Sequence, residues 1–155
     1  MCAQTAQLSP VDAAWLHMED PTNLMMVTGV MLLKEPVDFA RLLAIYCARL
    51  LQFPRFSQRV VESSVPLGIP HWEPDPHFVF DAHVHHVALP EPGTRKELMD
   101  FLADIASTPL DFSKPLWHLH VIDNVEGRSA IAMRFHHCIG DGTALVSVIH
   151  RLVDD

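Results

Sequence analysis

Hydrophobic positions along the chain follow two spacings, a helical one near 3.6 and a strand one of 2, separated by proline- and glycine-rich stretches. Ser9-Pro10 followed by Asp12 supplies an N-cap, a first-turn proline and an early acid, and predicts a short helix to about Met18. Residues 24–33, LMMVTGVMLL, read as a buried strand, although an apolar run alone leaves a helix open. Asp38 then caps a helix to about Leu51, with Phe39, Leu42, Leu43, Tyr46 and Leu50 on one face. Short strands are expected around 57–62 and 71–73, on either side of SSVPLGIP, and another over 83–89. Thr94 and Glu97 form a capping box that opens a helix to about Ala106, with Leu98, Phe101, Leu102 and Ile105 inward. Two alternating runs, 116–123 and 129–135, flank Asn124-Val125-Glu126-Gly127-Arg128 and predict a hairpin. Thr143 to Val153 completes the pattern as an amphipathic helix. After the opening helix the order β-α-β-β-β-α-β-β-α implies an α/β or α+β layered architecture with a mixed sheet flanked by helices.

Composition narrows the function classes. At 155 residues the chain is one domain's worth, and 49% hydrophobic with 19% charged residues excludes a disordered or solvating segment. A formal charge of −8 argues against a nucleic-acid reader held by phosphate contacts and against a polybasic membrane anchor. The longest apolar stretch, Met25 to Leu33, is far short of the roughly 20 residues of a spanning helix. No basic n-region followed by an apolar run marks a signal peptide, and three cysteines (Cys2, Cys47, Cys138) without close spacing make a poor disulfide framework. A cytoplasmic chain is the expectation. Histidine stands out, with 11 residues, several of them clustered.

The second hairpin strand runs into His136-His137-Cys138-Ile139-Gly140-Asp141-Gly142. Two glycines around an aspartate suggest a tight strand-to-helix turn in which the backbone needs positive φ. By strand alternation His137 lies on the side of Ile131, Met133 and Phe135, while His136 shares the other with Ala130, Ala132 and Arg134. A histidine at a strand end beside such a loop is well placed for general-base chemistry, since its ordinary pKa near 6.5 leaves it largely neutral at working pH.

HHCIGDG resembles the HHxxxDG motif of acyltransferases related to chloramphenicol acetyltransferase and the peptide-synthetase condensation domains. Three further segments, LSPVDAAWL, PLDFSKPLW and DPHFVFDAHVHHVALPEPG, resemble signatures of the bacterial wax ester synthase/diacylglycerol acyltransferase family, so that the resemblance spans nearly the whole chain. It implies a chloramphenicol-acetyltransferase-like half, and transfer of a long acyl group from acyl-CoA to a fatty alcohol or diacylglycerol hydroxyl. His137 matches the family's general base and His136 its supporting neighbour. Asp141 matches the motif aspartate that fixes the loop through a basic partner, for which Arg134 is the candidate; Arg134 reads equally as a solvated surface residue. Gly142 would give the close turn, and Pro115, Leu116 and Trp117 a wall of the substrate channel. Acyl-CoA is expected as co-substrate, with no bound cofactor and no metal. Family members are much longer and react between two lobes. Residues 1–155 are therefore expected to be the N-terminal lobe, with the C-terminal lobe of the same enzyme, or a second copy in a homodimer, as partner. The resemblance also makes peripheral attachment to a membrane or lipid droplet plausible.

Other readings stand beside this one. Cys138 neighbours His137, but adjacent strand residues diverge and small buried cysteines are common. His83, His85, His86, His118 and His120 could chelate zinc in pairs, yet no cysteine or carboxylate stands at the usual structural spacing. Alternatives to the acyl-CoA transferase are an enzyme of the same superfamily using carrier-bound acyl groups, and a non-catalytic acyl-CoA-binding lobe.

Overall fold

The computed structural model describes residues 5–140 and 142–153. In chain order the elements are β1 (Ala6–Gln7), α1 (Pro10–Met18), β2 (Met26–Leu32), α2 (Phe39–Leu50), β3 (Gln58–Val61), β4 (His71–Pro74), β5 (Val84–Ala88), α3 (Arg95–Ala106), β6 (Trp117–Val125), β7 (Arg128–His136) and α4 (Gly142–Val153). Short 3-10 turns lie at Pro54–Phe56, Phe80–His83 and His137–Ile139.

The helix starts follow from local chemistry. Ser9 Oγ accepts the Asp12 N–H at 3.1 Å, and Asp38 Oδ1 accepts the Arg41 N–H at the same distance. At α3 both arms of the capping box form, with the Glu97 carboxylate accepting the Thr94 N–H at 2.8 Å.

Strands β2-β7-β6-β5 make a mixed sheet in which β5 and β6 are parallel and the other neighbours antiparallel. A smaller antiparallel sheet, β1-β4-β3, includes β1, a two-residue strand too short to leave a periodic signal. Alternation along β7 sorts its residues as expected. Ile131, Met133 and Phe135 join Trp117, Leu119 and Val121 of β6 under α2 and α4. Ala130 and Ala132 lie on the opposite face, with Ile122, under Leu98 and Ile105 of α3. Leu119, Val121 and Ile122 are completely buried, and each such side chain contributes about 1.5–3 kcal/mol relative to exposure.

The hairpin differs from its expected form. The strands extend to Val125 and Arg128, leaving a two-residue turn, Glu126-Gly127, with φ of 51° and 76°. Positive φ at both positions matches the twist of the flanking strands, and a register shift between Ile122 and Val125 accommodates Asn124 at φ 59°.

Candidate active site

The histidine pair sits where β7 leaves the sheet. His136 ends the strand opposite Met26, and its backbone N–H donates to the Leu116 carbonyl at 3.0 Å. Its ring is completely buried, with Phe112 edge-on at 5.4 Å. Nδ1 accepts the Cys138 N–H at 3.1 Å, so that the imidazole itself caps the 3-10 turn. Nε2 lies 3.0 Å from Glu19 Oε2, in a contact bent away from the line of a strong hydrogen bond. Burial pulls the His136 pKa below its ordinary value, outweighing the opposing pull of the Glu19 carboxylate.

His137 behaves differently. It belongs to the 3-10 turn and not to the strand, so the alternation expected to place it beside Phe135 stops one residue earlier. The turn leaves its ring half-buried and stacks it on Trp15 of α1, with centroids 4.6 Å apart and planes 20° apart. The His137 N–H donates to the Met25 carbonyl at 2.8 Å, joining the motif to the start of β2. Of the two adjacent histidines, one is sealed inside and the other reaches the surface.

Gly140 corrects the expectation of a left-handed turn. Its φ of 177° is extended backbone open to any residue. What favours glycine is space: an added Cβ would stand 3.1 Å from the Ala144 Cβ of α4, a tight contact that α4 would have to yield to by a few tenths of an ångström. Gly142 is the first residue of α4. Asp141 lies outside the described residues.

Arg134 is not a solvated surface residue. It is 4% exposed, donates through Nη2 to the Thr108 carbonyl, and places the same nitrogen 3.4 Å from Met26 Sδ. Among the described residues no carboxylate pairs with it.

Pro115, Leu116 and Trp117, expected to form a wall of the substrate channel, take packing positions in this lobe. All three are buried inside this lobe, and Leu116 and Trp117 are completely so. Leu116 packs with Leu8, Leu16, Trp72 and Cys138. Trp117 donates its indole N–H to the Phe56 carbonyl at 2.9 Å and touches the rings of Phe56, Phe80 and His83. They serve the site through backbone, because the Leu116 carbonyl secures the His136 N–H. Cys138 is buried as well, and burial pushes its thiol up to about 12, which removes it as a nucleophile near neutral pH.

His85, His118 and His120 line the α3 face of the sheet near Arg134. His85 Nε2 and His118 Nδ1 are 2.5 Å apart, and His120 stacks on His85 with centroids at 4.8 Å. Burial first, then the neighbouring rings, pushes His118 down to about 4 and His120 to about 3. Among the described residues no group of three or more His, Cys, Asp or Glu side chains converges to hold a metal ion.

Sequence reading missed Glu19, Trp15 and Met25, whose contacts with the motif span more than a hundred residues of chain. An acid just past the end of α1 carries no signal of its own; only the tertiary fold brings it to His136.

A mixed helix-flanked sheet whose second hairpin strand ends in HHxxxDG defines an α+β lobe of the chloramphenicol-acetyltransferase-like class. Solved condensation domains share it at low identity: the starter condensation domain of rhizomide synthetase superposes with a TM-score of 0.78 at 13% identity, over 97% of this chain and 36% of that one. The family is more specific. Residues 8–155 match the wax ester synthase/diacylglycerol acyltransferase catalytic domain, and the chain belongs to that family. It is 32% identical over 152 residues to a Mycobacterium tuberculosis protein named "Probable diacylglycerol O-acyltransferase tgs3", covering 96% of this chain and 56% of that protein. It is 33% identical to "Probable diacylglycerol O-acyltransferase tgs1" of the same organism, covering 96% of this chain and 33% of that one. The wax ester synthase/diacylglycerol acyltransferase of Marinobacter aquaeolei VT8 superposes with a TM-score of 0.75 at 28% identity, over 94% of this chain and 37% of that structure. The chain thus spans about half or less of the length of these relatives. Among the described residues no helix is long and apolar enough to cross a membrane.

Proposed function

We propose that this lobe supplies the general base for moving a long acyl group from acyl-CoA to the hydroxyl of a fatty alcohol or diacylglycerol, giving a wax ester or triacylglycerol. The observation that carries the reading is the contrast within the pair: His137 reaches the surface from a turn anchored on both sides, while His136 is sealed beneath it. A hydroxyl is far less acidic than an imidazolium, so proton transfer to His137 accompanies attack of the oxygen on the thioester carbonyl. The tetrahedral intermediate collapses by breaking the carbon–sulfur bond. The CoA sulfur leaves and takes the proton back from His137. No acyl-enzyme forms, and acyl-CoA enters as co-substrate without a bound cofactor.

Family membership supports acyl-CoA as donor over a carrier-bound acyl group, because the condensation-domain likeness speaks only to fold. In this reading Asp141 and Gly142 set the loop, Arg134 stiffens the strand that feeds it, and a second lobe faces His137 and completes the acceptor side. The enzyme would work in the cytoplasm, at the surface of a membrane or lipid droplet where both substrates collect.

The test measures CoA-thiol release from palmitoyl-CoA with a long-chain alcohol or a diacylglycerol. His137→Ala is expected to abolish acceptor-dependent release while the fold, read by circular dichroism, is kept. Unimpaired transfer by His137→Ala overturns the assignment.

A further inference from the structure

We propose that Glu19 is a positioning residue that, through His136, holds the turn presenting His137, and that it does so by fixing which nitrogen of His136 carries the proton. The functional consequence rests on His137 being the general base; the structural one does not.

The argument starts at His136 Nδ1. A nitrogen that accepts the Cys138 N–H at 3.1 Å must present a lone pair, so a neutral ring carries its proton on Nε2. That nitrogen is completely buried, and Glu19 Oε2 lies 3.0 Å from it, close enough for charge to act although off the line of a hydrogen bond. A carboxylate can only accept, and it therefore selects the Nε2–H form. The other tautomer would set a ring N–H against the Cys138 N–H and leave an Nε2 lone pair facing an anion.

The same oxygen does a second task. Glu19 Oε2 accepts the Met25 N–H at 2.9 Å, and the Met25 carbonyl accepts the His137 N–H at 2.8 Å. One carboxylate thus acts on both histidines, on the His136 ring by its charge at 3.0 Å and on the His137 backbone through hydrogen bonds to Met25. Glu19 is itself the C-cap of α1, the helix whose Trp15 stacks on the His137 ring. Helix end, strand start and motif turn close into one circuit, and Glu19 is the shared member. Removing it leaves the Met25 N–H without its acceptor and takes away the carboxylate that faces the Nε2–H, which frees His136 to change tautomer and drop its cap on the turn.

The test compares Glu19→Gln and Glu19→Ala with the unaltered chain and His137→Ala. Long-range proton–nitrogen spectra of the imidazoles read the tautomer directly. We expect a protonated Nε2 and a bare Nδ1 for His136 in the unaltered chain. Glu19→Gln is expected to preserve that pattern, because its amide oxygen still accepts, whereas Glu19→Ala gives a mixture. His137 ring protons, shifted by the Trp15 ring current, are expected to move toward free-histidine values in Glu19→Ala alone. In the acyl-transfer assay Glu19→Ala is expected to lower kcat on the order of a hundredfold, as misplacement of a reacting group does, with KM for acyl-CoA nearly unchanged. Glu19→Gln is expected to restore most of that loss.

An unaltered His136 tautomer and an unshifted His137 ring in Glu19→Ala overturn the proposal, whatever His137→Ala does. Full activity in His137→Ala would instead remove the general base and leave the spectra to decide the role of Glu19. Should Glu19→Ala fail to fold, Glu19→Asp withdraws the carboxylate by one methylene and is read in the same spectra. There a wild-type His136 pattern and His137 shift overturn the proposal.

Discussion

Replacing Trp117 with phenylalanine separates a packing role from a substrate-wall role for the PLW segment. Trp117 is completely buried, and its indole N–H donates to the Phe56 carbonyl at 2.9 Å. Phenylalanine cannot donate, and leaving that buried carbonyl without its partner costs about 1–3 kcal/mol. The smaller ring also thins the contacts with Phe80 and His83, whose centroids lie 5.5 and 4.8 Å away. Because full truncation of a buried tryptophan costs about 3–5 kcal/mol, the partial loss of volume adds on the order of 1 kcal/mol. The sum is roughly 2–4 kcal/mol, which at about 2–4 °C per kcal/mol lowers Tm by some 4–16 °C, roughly, for a domain of this size. Urea unfolding followed by far-ultraviolet circular dichroism measures the effect, with the midpoint falling at constant slope. A loss below about 0.5 kcal/mol, the range of ordinary surface substitutions, would refute the reasoning and return Trp117 to a ligand-facing position.

The histidines of the α3 face predict an acid-sensitive fold. With His118 held at about 4 and His120 at about 3 against an unfolded value near 6.5, the unfolded chain binds more protons between those limits. Their contribution is therefore intact above about pH 6.5 and lost as pH falls toward 4 and below. Both His120 ring nitrogens lack a partner among the described residues, so His120→Leu is expected to be at least as stable at pH 7 and to flatten the acid slope. Urea midpoints measured across pH 4–7 check this, and an unchanged slope counts against it. For the thiols, iodoacetamide at pH 8 is expected to label Cys47, which is half-buried, well before Cys138, whose thiol is raised to about 12. Peptide mass spectrometry reads the order, and equal labelling of the two would show Cys138 to be accessible.

Local chemistry made much of the architecture legible. Capping acids and hydroxyls at Ser9, Asp38 and Thr94 marked three helix starts, because an N-cap satisfies backbone donors within a few residues of itself. Strand period sorted Ile131, Met133 and Phe135 from Ala130 and Ala132, because successive side chains of an extended chain must face opposite ways. HHCIGDG, LSPVD and PLW pointed to the family that the match over residues 8–155 then established. Periodicity misplaced what depends on departures from it. The turn that swings His137 off β7 is held by the His136 ring and the Met25 carbonyl, and Gly140 answers to the approach of Ala144 from α4. The burial of Leu116 and Trp117 came from the strands and helices that close over them, as did the burial of Arg134 beneath Thr108. Glu19 and Trp15 reach the motif from the other end of the chain. By itself the sequence determined the elements, their faces and the family, all of which rest on residues near one another along the backbone. Which histidine is sealed, which is presented and what grips them were decided by tertiary structure, because hydrogen bonding and burial depend on distance through space.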